Sequence, residues 1–198
     1  MTIIGAIPVK KESKRFPGKN FMKIGGDYLI NLAIERLNLP IVDHIVVSTD
    51  AVERVKAIVS EAWLPDKAIE IVERSASVTD GDLQSSEPIG EAIAQGKYST
   101  EDIVVMTQVT SPLIRSQTVA RCLTIWENTP DLDLVVTVNP DNRPNGGVYI
   151  CKVKHLIAPG SLYHGRVHVH RIPFDEGIDI DYPHQLAIAD AIARGDAS

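Results

Sequence analysis

Two rhythms of hydrophobic positions alternate along this chain. TIIGAIPV (2–9), HIVVSTD (44–50), DIVVMTQV (102–109), DLVVTV (133–138) and VYICKV (148–153) are short, largely apolar runs, and AIEIVER (68–74), interrupted by Glu70 and Glu73, reads as a further short strand. Continuous runs of this length predict strands buried on both faces. Between them lie segments with helical spacing. In DYLINLAIERLNL (27–39), Leu29, Ile30, Ala33, Ile34 and Leu37 share one face, with Asp27 placed to cap it. AVERVKAIVSEA (51–62), EPIGEAIAQGK (87–97), TVARCLTIWEN (118–128) and the segment from Pro183 onward repeat the pattern. RVHVHRI (166–172) alternates, as an edge strand does. Residues 153–165 follow neither rhythm, SASVTDGDLQSS (75–86) reads as a small polar loop, and NPDNRPNGG (139–147) reads as a turn-rich connection.

Strands alternating with helices predict a three-layer α/β/α protein with a mainly parallel sheet. Right-handed crossovers then place every parallel strand's C-terminal end on one edge, where ligands of open α/β sheets bind. The polar clusters follow TIIGAIPV, HIVVSTD, AIEIVER and DIVVMTQV, so residues far apart in sequence converge there.

Length and composition narrow the picture. The 198 residues suit one domain, 1–198, with 44% hydrophobic and 23% charged residues. A net charge of −6 argues against a broad nucleic-acid surface. No apolar run reaches the length of a membrane span, and the N-terminal apolar run precedes its basic run, the reverse of a signal peptide. Cys122 and Cys151 lack metal-type spacing; they read as core fillers and fit a cytoplasmic protein.

Against that acidic background, residues 7–20, IPVKKESKRFPGKN, concentrate Lys10, Lys11, Lys14, Arg15 and Lys19 around one acid, Glu12. Directly after the first strand, such a loop suits a polyphosphate; a charge run alone equally describes a solvated surface. It contains neither GxGxxG nor GxxxxGK[ST], which speaks against a dinucleotide oxidoreductase and a Walker loop. Asp179 and Asp181 flank Ile180, and in an extended segment both carboxylates point to one side and could meet one Mg²⁺. Asp181 could instead cap the helix that follows, Asp50 reads as a helix cap, and Asp80 reads as a turn residue. His164, His168 and His170 lack an accompanying carboxylate or Cys and read as strand and loop residues.

The loop resembles the signature IPARGGSKRxPGKN of the acylneuraminate cytidylyltransferase family. The likeness continues in order through VVSTD, through Arg74 with the VTDGDLQSS segment, through TQVTSPLIR, RPNGGVYI and GIDIDYPHQLAIAD, from residue 7 to residue 190. It implies a Rossmann-like nucleotidyltransferase that joins CTP to an acidic sugar of the sialic-acid type with Mg²⁺, both small-molecule substrates. Lys10, Ser13, Lys14 and Lys19 would hold the phosphates, with Lys10 and Lys19 catalytic beside Asp179 and Asp181. Asn20 and Arg74 would lie near base and ribose. Ser85 would bond the cytosine or cap a helix. Gln108, Arg115, Asn145 and Tyr149 would meet the acceptor.

The chain departs from the family in two places. Lys10 replaces an Arg and Lys11-Glu12 replace a Gly pair, which loses a bidentate fork and restricts backbone approach to phosphate. Only Asn139, Pro140, Asp141 and Asn142 separate Val138 from Arg143, where the family carries a long segment with dimer contacts and part of the acceptor pocket. A homodimer would lack that surface. A smaller acceptor such as a phosphonate, or a nucleotide-binding role without turnover, are the alternatives.

Overall fold

A computed structural model describes residues 1–61, 67–75, 78, 86–157 and 162–196. The five apolar runs and AIEIVER become β1 (Ile3–Val9), β4 (His44–Thr49), β5 (Ile69–Glu73), β6 (Ile103–Met106), β7 (Leu134–Val138) and β8 (Pro144–Lys152), with β5 half-exposed at the sheet edge. The alternating run becomes β9 (Val167–Arg171). They form one sheet in the order β5-β4-β1-β6-β8-β7-β9. All pairings are parallel except those of β8, which runs antiparallel to both β6 and β7. Lys23–Ile24 and Asp27–Tyr28 make a separate two-stranded ribbon, β2 and β3.

Six α-helices are described: α1 (Leu29–Arg36), α2 (Val52–Glu61), α3 (Ser86–Gln95), α4 (Ser116–Asn128), α5 (Val153–Ile157) and α6 (Pro183–Arg194). The pleat of β1 shows why its sequence is apolar throughout. Ile3, Ile7 and Val9 join a core with α1, α2 and α4, while Ile4 and Ala6 join a second core with α3 and α5 on the other face. Leu29, Ile30, Ala33, Ile34 and Leu37 are all fully buried, as their spacing predicts. Burial pushes the thiols of Cys122 and Cys151 up to about 12, which suits inert core positions.

Several expectations need correction. Asp27 does not cap α1: it belongs to β3, and Tyr28 occupies the cap position without a side-chain bond. Asp50 instead accepts the Lys11 N–H at 2.6 Å, holding the basic loop against the end of β4. Asn145, Gly146 and Gly147 lie inside β8 rather than in a turn before it. Gly146 has φ of +71°, and a Cβ there would stand 2.6 Å from Gln108 Oε1. The glycine therefore lets β8 start hard against the loop after β6, and the Gln108 N–H donates to the Gly146 carbonyl at 2.9 Å. His164, read as a loop residue rather than part of a site with His168 and His170, faces the His155 ring at 2.8 Å between nitrogens. Among the described residues, no helix is long and apolar enough to cross a membrane.

Candidate active site

The loop after β1 is held by its own backbone. Phe16, Pro17, Gly18 and Lys19 form a type II turn: Gly18 sits at φ +71°, ψ 3°, and the Lys19 N–H donates to the Phe16 carbonyl at 3.2 Å. Asn20, nearly buried, donates through Nδ2 to the Lys10 carbonyl at 2.7 Å. With the Asp50 contact, these bonds fix both ends of the basic run. The sequence pattern Pro-Gly-Lys-Asn thus does two jobs, turning the chain and locking it.

The loop forms one wall of a cleft of about 590 Å³ at the carboxyl edge of β1, β5 and β6. Lys10, Ser13, Lys14, Lys19, Asn20, Arg74 and Gln108 all line it, together with Arg15, Glu12 and Thr110. Seven of the predicted site residues thus meet in one place. Arg74 reaches it from just beyond β5: its Nε and Nη2 donate to the Ser48 carbonyl at 3.3 and 2.9 Å. Burial lowers its pKa, opposed by the charges of Asp50 and Glu91. Ser85 and Asp80 lie outside the described residues.

The two C-terminal carboxylates stand behind the cleft lining, in contact with residues that form it. Asp181 pairs with Lys19 Nζ at 2.8 Å and with Arg15 Nη1 at 2.7 Å, and Lys19 also donates to the Ile180 carbonyl at 2.6 Å. The Ile180 N–H donates to the Thr110 carbonyl at 2.7 Å, tying this segment to the loop after β6. Burial pushes Asp179 up to about 6, reinforced by the charge of Asp181 and opposed by a Thr110 hydrogen bond, Lys19 and Arg15. Asp179 Oδ1 is buried with no hydrogen-bond partner. An orphaned carboxylate oxygen could take a hard cation, while both oxygens of Asp181 already pair with Arg15 and Lys19. Among the described residues no group of three or more His, Cys, Asp or Glu side chains gathers as a complete metal cage. A Mg²⁺ that takes its remaining ligands from substrate phosphates and water fits this arrangement.

Tyr149, on β8, stands beside this corner. The Gly146 N–H bonds to its hydroxyl, the charge of Asp179 reaches it, and burial is the main cause of its raised pKa. Tyr163 packs edge-on against it at 6.3 Å and donates to its hydroxyl at 3.4 Å. Two other predicted acceptor residues are not brought here. Asn145 is turned into the β7–β8 junction, where Oδ1 accepts from Thr137 Oγ1 at 3.0 Å and from the Gly147 N–H at 3.3 Å. Its Nδ2 is buried and unpartnered. Arg115 does not line the cleft; it is held by Asp175 and by Glu176, 3.1 Å away, in the short 3-10 turn Phe174–Glu176. A carboxylate pair from a segment about sixty positions on meets its fork, and nothing near Arg115 in sequence signals that.

Sequence reasoning also missed Thr110, whose TSPL block pointed to the loop, and Arg36. Arg36 is fully buried near the C-terminal end of α1, and burial pulls its pKa down to about 9. Its guanidinium donates to the Ser111 carbonyl and to the Leu32 carbonyl, and Ser111 Oγ in turn donates to the Asn145 carbonyl. This chain of bonds braces the loop that carries Gln108 and Thr110.

Similarity to known proteins follows the same geometry. The chain is 30% identical over 142 residues to a 3-deoxy-manno-octulosonate cytidylyltransferase of Bdellovibrio bacteriovorus, covering 71% of this chain and 52% of that protein. It is 32% identical over 131 residues to an 8-amino-3,8-dideoxy-manno-octulosonate cytidylyltransferase of a Shewanella species, covering 66% and 49%. It spans about half the length of these curated relatives. Both are octulosonate enzymes, a branch related to the acylneuraminate one that the motifs resemble. Among solved structures, a CMP:2-keto-3-deoxy-manno-octonic acid synthetase complexed with CTP superposes with a TM-score of 0.77 at 16% identity, over 99% of this chain and 100% of that one. A 4-diphosphocytidyl-2C-methyl-D-erythritol synthase of Anaerococcus prevotii gives 0.66 at 12% identity, over 96% of each chain. These likenesses establish the α/β fold. A cytidylyltransferase family model matches residues 4–146, and with this much of the chain matched, the protein belongs to the cytidylyltransferase family.

Proposed function

We propose that this chain transfers CMP from CTP to a hydroxyl of an acidic 2-keto-3-deoxy sugar acid, releasing pyrophosphate. The observation that carries the reading is the cleft itself: Lys10, Ser13, Lys14, Lys19 and Arg74 line one space, and Asp181 pairs with two of its cations. The acceptor oxygen attacks the α-phosphorus, its proton is lost to solvent or a base, and the bond to the β-phosphate oxygen breaks. The triphosphate brings about four negative charges, so the protein's part is positioning and neutralisation. Lys10, Ser13 and Lys14 would hold the phosphates on the rigid loop. Lys19 would neutralise the charge that develops on the leaving pyrophosphate, and Asn20 and Arg74 would bound the nucleoside side.

Mg²⁺ would be held by Asp179 and Asp181, and when bound it supplies further neutralisation of the phosphates. Gln108, Thr110 and Tyr149 would orient the acceptor at the opposite end of the cleft. Neither Arg115 nor Asn145 is assigned to it. An octulosonate is the first choice of acceptor over a sialic acid, because the similar curated proteins act on octulosonates. Those relatives lend no support to a phosphonate acceptor or to a non-catalytic role.

The test is pyrophosphate release from CTP and Mg²⁺ with 3-deoxy-manno-octulosonate, its 8-amino analogue and a sialic acid. Release is expected with an octulosonate first, and CTP alone should raise the melting temperature. A shift without release across the panel would leave a nucleotide-binding protein; neither shift nor release would overturn the reading.

A further inference from the structure

A second cleft, of about 640 Å³, opens between α4 and β9, and none of its lining is shared with the first. Arg115 and Arg121 enter it from the α4 side, His170 and Arg171 from β9, and Glu176 closes one end. Glu176 is buried and already committed: it accepts the Arg115 N–H and Nη1, both at 3.1 Å, and Thr118 Oγ1 at 2.6 Å. Asp175 holds the other side of the Arg115 fork. Arg171 Nη2 donates to Asn142 Oδ1 at 2.5 Å, a neutral partner. The Arg121 side chain has no hydrogen bond or ion pair among the described residues. Three guanidinium groups therefore share a cleft in which the carboxylates serve only Arg115.

We propose that this cleft is a second anion site, built for a phosphate group carried by a phosphomonoester or by inorganic phosphate. The cations approach from two elements, with an imidazole between them. That spread suits the three or four oxygens of a tetrahedral anion better than a planar carboxylate, which a single fork can satisfy. The volume leaves room for the organic part of an ester. His170 is faced by Arg121 from α4, by His168 on the same face of its own strand and by Glu176 from the 3-10 turn, while Arg171 follows it on the strand's other face. Burial first, then Arg121 and His168, lower its pKa, with Glu176 opposing. These surroundings disfavour the imidazolium, and a bound dianion would favour it.

The experiment follows the His170 ring nitrogens of the intact chain by NMR at neutral pH while inorganic phosphate is added without CTP. A saturable response with a rising His170 pKa is expected. Exposed Arg121 changed to Gln should weaken phosphate about tenfold with the amide spectrum unchanged, and Arg121→Lys less so. Lys14→Gln, in the first cleft, should leave the His170 response as it was. A repeat with glycerol 3-phosphate separates the sources: tighter binding identifies an ester, equal or weaker binding inorganic phosphate. No saturable response at His170 would overturn the site. So would a response that survives Arg121→Gln combined with Arg171→Gln, or one lost in Lys14→Gln.

Discussion

The half of the sheet made by β5, β4, β1 and β6 and the half made by β8, β7 and β9 build their chemistry differently. In the first, four parallel strands end at one edge, and most of the cationic wall comes from a single loop held by its own backbone. In the second, β8 runs antiparallel, so it brings its N-terminal end to that edge. The proposed acceptor corner is consequently assembled from three separate stretches: Gln108 to Thr110, Gly146 to Tyr149, and Asp179 to Asp181. A nucleotide grip can sit in one continuous motif, whereas an acceptor pocket is distributed. Substitutions in the two halves should therefore affect different substrates.

The largest effect is expected where the halves meet. Asp179→Asn combined with Asp181→Asn should lower turnover by roughly 10³-fold or more, on the scale of losing a preorganised charge-stabilising group. CTP binding by calorimetry should change far less, and the fold should persist. Retained turnover would remove both carboxylates from the metal role and leave the halves without a common centre.

Lys10→Met should next weaken CTP by about 10- to 100-fold, the range for losing one or two charge-assisted contacts, while the KM for the acceptor stays near its original value. An equal change in both constants would break the division of labour. Tyr149→Phe is the reciprocal case. Its hydroxyl receives the Gly146 N–H and stands near Asp179, so its loss should raise the acceptor KM by about 5- to 10-fold with CTP affinity unchanged.

The smallest effect concerns stability alone. His155 sits between Asp133, 3.4 Å away, and His164, at the opposite edge from both clefts. Its folded pKa is lowered chiefly by burial, against the pull of Asp133. A depressed imidazole binds protons more readily in the unfolded chain. The stability tied to its neutral form is therefore present above about pH 6.5 and is lost as pH falls through the folded value. Melting temperature should drop on acidification below that point, and less steeply in His155→Gln. Turnover per folded molecule at neutral pH should be unchanged, which separates the scaffold from the site.

The contrast also explains what was legible before any coordinates. Buried parallel strands leave continuous apolar runs, and a loop that turns and locks itself needs Pro17, Gly18, Lys19 and Asn20 in a row, so the first half could be read directly. The acceptor side could not. Asn145 and Gly146 look like a turn, but they are the opening of β8, and their burial depends on how closely the loop after β6 approaches. Arg115 is paired by Asp175 and Glu176, and Arg36 is buried against the Ser111 carbonyl. Each of these is a long-range contact with no local periodicity. Asp27 was misplaced for the opposite reason: a good capping residue was drawn into a ribbon, where β2 needed a partner.

The central claim is that CTP and an acid sugar are joined across these two halves. The most direct measurement is ³¹P NMR of the chain incubated with CTP, Mg²⁺ and 3-deoxy-manno-octulosonate. The account predicts that the triphosphate signals decay into equimolar pyrophosphate and a single phosphodiester resonance, that of CMP joined to the sugar. Unchanged CTP with every acid sugar tested, or its decay to CDP and phosphate with no phosphodiester, would contradict it.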